Sequence, residues 1–258
     1  GTGSDGIRSN VITGRGVYKS TNAGKAWSFI GLRAVGQIGA VEIHPEDPDI
    51  VFVAAMGHAF GPGPDRGVYR TLDGGGSWDK VLFVSETCGA VDLEFAPDDP
   101  QTIYACMWRA ERKPWTIISG GREGGVFRSR DGGDTWENVL FLNDSTGAVD
   151  LALNPRNPRV LYAGMWRAER KPWTMISGAR VGGIYRSDDG GDSWRLVLTD
   201  HSINERAPYY TRIAVDPDNK ERIYFVNVRF NMSLDGGKTL VDDPPQGGGD
   251  THDMWIDP

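Results

Sequence analysis

Cysteine is nearly absent from this 258-residue chain. The two residues present, Cys88 and Cys106, make no disulfide framework. They lie on the two arms of one expected hairpin, which leaves a bridge open, but two free thiols are the expectation. Histidine is also scarce. His44, His58, His201 and His252 lack metal-ligand spacing, which argues against a zinc site. No run approaches 18 consecutive apolar residues, so membrane insertion is not expected. A basic excess is missing too. The formal net charge of −7 argues against nucleic acid as a partner, because phosphate binding needs a positive footprint. No glycine run marks a nucleotide cofactor. Gly247-Gly-Gly249 lacks the following lysine and helix, and Gly14 and Gly16 lack a βαβ context. No signal-peptide pattern is present, and the chain begins Gly-Thr-Gly-Ser, so its start gives no reading of compartment.

Glycine, by contrast, is abundant at 35 residues, with 15 prolines. Nine tryptophans and many β-branched residues accompany them, which makes the chain turn-rich rather than disordered. Its length suits one large all-β domain that buries roughly 70–75% of its unfolded surface.

One pattern recurs. An apolar-aromatic strand ends in Ser/Thr and is followed by x-Asp-x-Gly-x-Ser/Thr-Trp. The copies are Tyr18-Lys-Ser-Thr-Asn-Ala-Gly-Lys-Ala-Trp27, Tyr69-Arg-Thr-Leu-Asp-Gly-Gly-Gly-Ser-Trp78, Phe127-Arg-Ser-Arg-Asp-Gly-Gly-Asp-Thr-Trp136 and Tyr185-Arg-Ser-Asp-Asp-Gly-Gly-Asp-Ser-Trp194. A fifth, Ser233-Leu-Asp-Gly-Gly-Lys-Thr-Leu240, ends in leucine. The last positions, 27, 78, 136, 194 and 240, give a period near 50, which suits four short strands and their turns. Glycine supplies positive φ at the turn, the Asp side chain accepts the turn's own N–H groups, and Trp packs on the hairpin. Asp73, Asp131, Asp189 and Asp235 are therefore expected to be structural.

A second signature precedes each turn: an alternating strand, a Pro/Asp/Asn turn and another strand. Ala90 to Pro97 with Thr102 to Ala105, and Ala148 to Pro155 with Val160 to Ala163, are the clearest. Ile38 to Pro45 with Ile50 to Ala54, and Tyr210 to Pro217 with Arg222 to Val226, follow the same plan. The expected fold is an all-β propeller of four-stranded antiparallel blades over 1–258. The approximate blades are 252–258 with 7–30, 38–84, 89–142, 147–199 and 210–241. Pairing of the C-terminal strand His252-Asp-Met-Trp-Ile-Asp-Pro258 with the N-terminal partial blade would close a five-bladed ring and remove exposed sheet edges. The alternative is an open arc cut from a larger propeller. A monomer is expected.

These turns and the Trp-Ile-Asp-Pro strand resemble the Asp-box, or bacterial neuraminidase repeat, superfamily. It includes sialidases, xyloglucan-cleaving glycosidases and the luminal propeller of sortilin receptors. The chain is most similar to bacterial sortilin-like "glycosyl hydrolase" repeat proteins, through Arg112-Lys-Pro-Trp115, Arg170-Lys-Pro-Trp173, Arg206-Ala-Pro-Tyr-Tyr210 and His252 to Pro258. The resemblance implies a propeller and favours a secreted or extracytoplasmic setting. It is nearly silent on activity, since one fold hosts many functions. The sialidase set of an arginine triad, a Tyr/Glu pair and an acidic loop residue does not map onto this chain. Position 40 is alanine where those relatives favour arginine, and Gly247 to His252 is looser than their His-rich run.

Function is expected on the face bearing the long, varied loops. Two of these, 104–120 and 162–178, match at 15 of 17 positions. Trp108, Arg109, Arg112 and Trp115 in one, and Trp166, Arg167, Arg170 and Trp173 in the other, mix aromatic planes with fixed cations. That mixture suits a glycan bearing a carboxylate or sulfate, and equally a peptide or protein partner. The other reading is that Trp caps the neighbouring blade and Arg pairs with Glu111 or Glu169. Five residues before each strand-ending proline stand Ala40, Asp92, Asp150, Arg212 and Asp253. On channel-lining strands, Asp92, Asp150 and Asp253 would form a carboxylate ring able to split its pKa values for glycoside hydrolysis, or to hold Ca²⁺, with Arg212 and His252 beside it. The alternative is that they solvate a water-filled channel or pair with Arg212. No other cofactor is expected. The readings are a glycan- or peptide-binding propeller, a glycosidase, and a structural scaffold.

Overall fold

In a computed structural model, the described residues are all of 1–258 except 5, 8–10, 179–180, 206–211, 242–250 and 257–258. Alternating apolar residues between Gly- and Asp-rich turns fold into successive antiparallel units. The first unit has β1 (Val17–Lys19) and β2 (Ser28–Gly31). The second is a four-stranded sheet of β3 (Ile38–Ile43), β4 (Val51–Ala55), β5 (Gly67–Thr71) and β6 (Asp79–Leu82). The third contains β7 (Cys88–Ala96), the long β8 (Asp99–Lys113), β9 (Thr116–Ser119), β10 (Gly125–Ser129) and β11 (Glu137–Leu140). The fourth repeats it as β12 (Gly147–Asn154), β13 (Asn157–Trp166), β14 (Ala168–Lys171), β15 (Thr174–Ser177), β16 (Gly183–Ser187) and β17 (Arg195–Leu198). The fifth has β18 (Arg212–Val215), β19 (Ile223–Val226) and β20 (Phe230–Ser233). Among the described residues no helix is long and apolar enough to cross a membrane.

The repeated turn forms as its sequence dictates. At Asp131, Oδ1 accepts the N–H of Thr135 at 2.9 Å and Oδ2 its hydroxyl at 2.5 Å. The Ser129 hydroxyl donates to Asp131 at 2.7 Å and accepts Gly133 N–H at 2.8 Å, while Trp136 Nε1 donates to Gly133 O at 3.1 Å. Gly132 and Gly133 take φ of 68° and 89°, which side chains rarely adopt. Asp73, Asp189 and Asp235 repeat these bonds, and Asn22 stands in for the acid in the first copy. The hydrogen bonds hold Asp131 down at about 2.

Turns also receive side chains from the neighbouring unit. Arg70 donates to Gly132 O at 2.6 Å, Tyr104 to Gly190 O at 2.9 Å and Tyr162 to Lys220 O at 2.8 Å. The inner strands β3, β7, β12 and β18 pack side by side, and apolar layers such as Met107, Leu161 and Ile103 fill the space between units.

Two findings differ from the strand plan. Residues 104–120 and 162–178 are not loops but hairpins, β8–β9 and β14–β15, and they join through the pair Arg170↔Ile117. The described C-terminal residues 251–256 form no strand, and Thr251 N–H donates to Asn227 O of the fifth unit at 3.2 Å. Cys88 and Cys106 are both free and buried.

Candidate functional site

The inner strands bring together Asp92, Asp150 and Arg212. A bulge precedes each aspartate, between Ala90/Asp92 and Ala148/Asp150, and turns its side chain toward the next unit. Asp92 Oδ2 accepts the N–H of Leu151 at 2.8 Å. Asp150 Oδ2 accepts the N–H of Ile213 at 2.5 Å, and its Oδ1 accepts Arg212 Nη1 at 2.9 Å. These carboxylates lace one unit to the next. Burial, offset in part by Arg212, raises Asp92 to about 6. Burial and the charge of Asp92 raise Asp150 to about 8.

Glu42 and Glu94, two residues further along β3 and β7, join this cluster. Burial raises Glu42 to about 7 and lifts Glu94 well above the carboxylate range, with Asp92 adding to the latter. The sequence reading missed both, although the same alternation that pointed to Asp92 places them on the same strand face. Asp253 and His252 are exposed and stand on no strand, and Asp253 Oδ1 accepts Met254 N–H at 2.8 Å. Among the described residues no group of three or more His, Cys, Asp or Glu side chains is arranged to hold a metal ion. Arg212 already supplies positive charge among the inner carboxylates. Asp250 and the Arg206 to Tyr210 segment lie outside the described residues.

The two hairpins make a four-stranded sheet, β8-β9-β14-β15, that spans the third and fourth units. Thr116 Oγ1 donates to Arg170 O across the seam at 2.6 Å. Directly paired residues share a sheet face, so Arg112, Ile117, Arg170 and Met175 stand in one row. The row is covered at one end and open at the other. Arg112 is buried, and its N–H donates to Ala59 O at 2.6 Å, while Arg170 and Met175 are exposed. Burial, and secondarily the charge of Arg170, lowers the Arg112 pKa.

At the hairpin tips Trp115 and Trp173 stand 65% and 79% exposed. The expectation that all four tryptophans face a ligand is corrected for Trp108 and Trp166, which are buried at the hairpin bases. Trp108 Nε1 donates to Ser119 Oγ at 2.9 Å. Arg167 pairs with Glu169 at 3.0 Å, as the pairing alternative anticipated, whereas Glu111 pairs with Lys113. Arg109 is half-buried and lies against Gly121. Sequence reasoning also missed Arg66, fully buried, whose Nη2 donates to His58 O, Gly61 O and Ala110 O. Only the arginine's position in a Gly/Pro-rich loop could have flagged it.

No family model matches this chain. It is 26% identical over 181 residues to photosystem II assembly lipoprotein Ycf48 of Synechococcus sp. (strain CC9902), across 70% of this chain and 42% of that protein. It is 26% identical over 250 residues to a xyloglucanase of Paenibacillus sp., across 92% of this chain and 20% of that protein. The chain thus spans less than half the length of either relative. Among solved structures, a GH74 enzyme of Niastella koreensis superposes with a TM-score of 0.52 at 16% identity, over 90% of this chain and 42% of that one. That likeness is one of fold, and these neighbours are β-propeller proteins.

Proposed function

We propose that the chain is a ligand-binding propeller segment whose five units are blades, and that it recognises a glycan or peptide on the face carrying the paired hairpins. The observation that carries this reading is the sheet shared by two neighbouring units, with Trp115 and Trp173 exposed at its tips and Arg170 open beside them. Exposed tryptophan on a rigid hairpin costs solubility without adding to the core, and rigid aromatic planes beside arginine are what sugars and peptide partners bind. The relatives named as a xyloglucanase and an assembly lipoprotein support the glycan and the protein branch respectively.

Binding of xyloglucan and other polysaccharides, and of a peptide array, is measured by tryptophan fluorescence with wild type, Trp115→Ala and Trp173→Ala. Loss of affinity in both variants at unchanged melting temperature is expected. Full retention in both would overturn the reading.

A second reading, glycoside hydrolysis, is favoured by Glu42 and Glu94, which are partly exposed and hold their protons well above the ordinary carboxylate range. Asp92 and Asp150 suit it less, because both are buried in backbone hydrogen bonds. Reducing-sugar release that disappears at unchanged melting temperature in Glu42→Gln or Glu94→Gln, or in the Asp92→Ala, Asp150→Ala or Asp253→Ala series, would establish it.

A further inference from the structure

The repeated turn has a second role at the seams between units. Its second glycine carries a side chain of the preceding unit: Ile30 over Gly75, Phe52 over Gly133, Tyr104 over Gly191 and Val197 over Gly237. The residue that closes the turn packs on that unit too. Trp78 Nε1 donates to Ile30 O at 2.8 Å, while Trp136 joins the Phe52 layer, Trp194 the Tyr104 layer and Leu240 the Tyr162 layer. The first unit carries the same turn uncovered. Among the described residues, only the ring of Trp27 comes within 4 Å of where a Cβ on Gly24 would stand. Trp27 is 63% exposed, whereas Trp78, Trp136, Trp194 and Leu240 are partly buried. Its pose is still that of a docked turn. Trp27 Nε1 donates to Gly24 O at 3.1 Å, as Trp136 does to Gly133 O and Trp194 to Gly191 O.

The other half of the seam is open on the fifth unit. Phe52, Tyr104, Tyr162 and Tyr224 stand at matching positions, paired across their sheets with Arg70, Arg128, Arg186 and Met232. The first three are 1%, 3% and 0% exposed, but Tyr224 is only partly buried. Tyr104 and Tyr162 send their hydroxyls to the next unit, at Gly190 O and Lys220 O. Tyr224 sends its own to Asp216 of the same unit. Charge distinguishes these faces as well. Arg70 and Arg128 reach across their seams to Asp134 and Asp192, each three residues after the turn's aspartate. At the two open faces both members of that pair are changed: Met232 takes the arginine's place and Lys25 the aspartate's. An arginine would repel Lys25, whereas methionine meets it without charge and suits the ring of Trp27.

We propose that these two open faces dock on one another between copies of this chain, the fifth unit of one copy standing against the first unit of a second copy. The interface repeats the seams inside the chain, with Tyr224 and Met232 of one copy over Gly24, Lys25 and Trp27 of the other. What covers such a face is shown by the covered seams, and the chain presents both halves of the contact. A surface of that kind is self-complementary head to tail. The contact is heterologous, so it closes into a ring or extends as a chain according to the rotation between copies. Trp27 is its aromatic anchor. The proposal does not depend on ligand binding at the hairpins.

Sedimentation velocity of the full chain over a concentration series reads the association. Wild type is expected to pass from one chain to dimers and larger species as concentration rises. Trp27→Ala should weaken association at least about thirtyfold, the size of an interface hot spot. Trp27 is exposed, so its loss leaves the fold intact, which circular dichroism checks. Met232→Arg installs the residue that the second, third and fourth units use there, so it is compatible with the strand, and it should weaken association by repelling Lys25. Adding Lys25→Asp to that variant should restore association, by rebuilding a pair like Arg128 with Asp192. A mixture of Trp27→Ala and Met232→Arg chains should stop at a one-to-one dimer, because each keeps one sound half. A single-chain mass at every concentration would overturn the proposal and leave both faces to a different partner. Association that survives both single variants, or a mixture that forms no one-to-one dimer, would overturn it as well.

Discussion

Alkaline pH should loosen this protein through its inner-strand carboxyls. Asp150 is only 3% exposed, and its pKa stands at about 8, with burial the leading cause. A carboxyl raised on folding gives its full stability below the unfolded value near 4 and loses it as pH climbs to the folded value. Each pH step in that window removes about 1.4 kcal/mol per retained proton, so one proton held to about 8 implies about 4 kcal/mol lost between pH 5 and pH 8. For a chain of this size that is roughly 10 °C in melting temperature. Asp92, at about 6, and Glu42, at about 7, act with the same sign. The assay is circular-dichroism melting from pH 4 to pH 9, on wild type and Asp150→Asn. The amide keeps an oxygen for the Ile213 N–H but cannot ionise, so the variant should show a shallower slope and overtake wild type at high pH. A wild-type melting temperature that is level or rising from pH 5 to pH 8.5 would refute the reasoning, as would a variant that keeps the whole slope.

Ser129→Ala should cost about 1–3 kcal/mol, because it strips the acceptor from the buried Gly133 N–H; urea unfolding measures it. Trp173→Ala should shift the melting temperature by no more than about 1 °C, since surface substitutions lie within about 0.5 kcal/mol. A larger drop would make Trp173 a structural residue. Both cysteines should be inert to a thiol reagent in the native state and react on unfolding, because burial pushes Cys88 up to about 12 and Cys106 well above the thiol range.

The strand plan and the repeated turns were legible because their physics is local. Ser129, Asp131, Gly132 and Gly133 contact one another within five residues, so spacing alone specifies them. The inner-strand positions were legible as a pattern, and Asp92, Asp150 and Arg212 do meet. Their bonding to the next unit's backbone was not legible, since it depends on bulges that alternation does not reveal. The hairpins were hidden for a different reason. The Lys113-Pro-Trp-Thr116 turn is a recognisable reversal, but the β9–β14 pairing joins residues more than fifty positions apart. The burial of Asn204 was beyond reach, because it comes from a helix of four residues folded back against Gly178.

The lacing carboxylates also set the height of each unit against the next, like teeth on adjoining gears. One tooth is missing. Where Asp92 engages Leu151 and Asp150 engages Ile213, Ala40 has nothing to offer Leu93, whose N–H turns to Asp92 of its own strand. There the axis-side contact is one of shape, with Gly39 pressed so closely on β7 that a Cβ would lie 2.1 Å from Val91 O. The second unit is therefore registered from its outer parts, by Arg66 on Ala110 O, by Arg112 N–H on Ala59 O and by Arg70 on Gly132 O. Weakening Arg66 and Arg70 should loosen the outer side of the seam between the second and third units, while the buried layer that Phe52 and Leu82 share with Leu93 and Ile103 keeps its inner side closed.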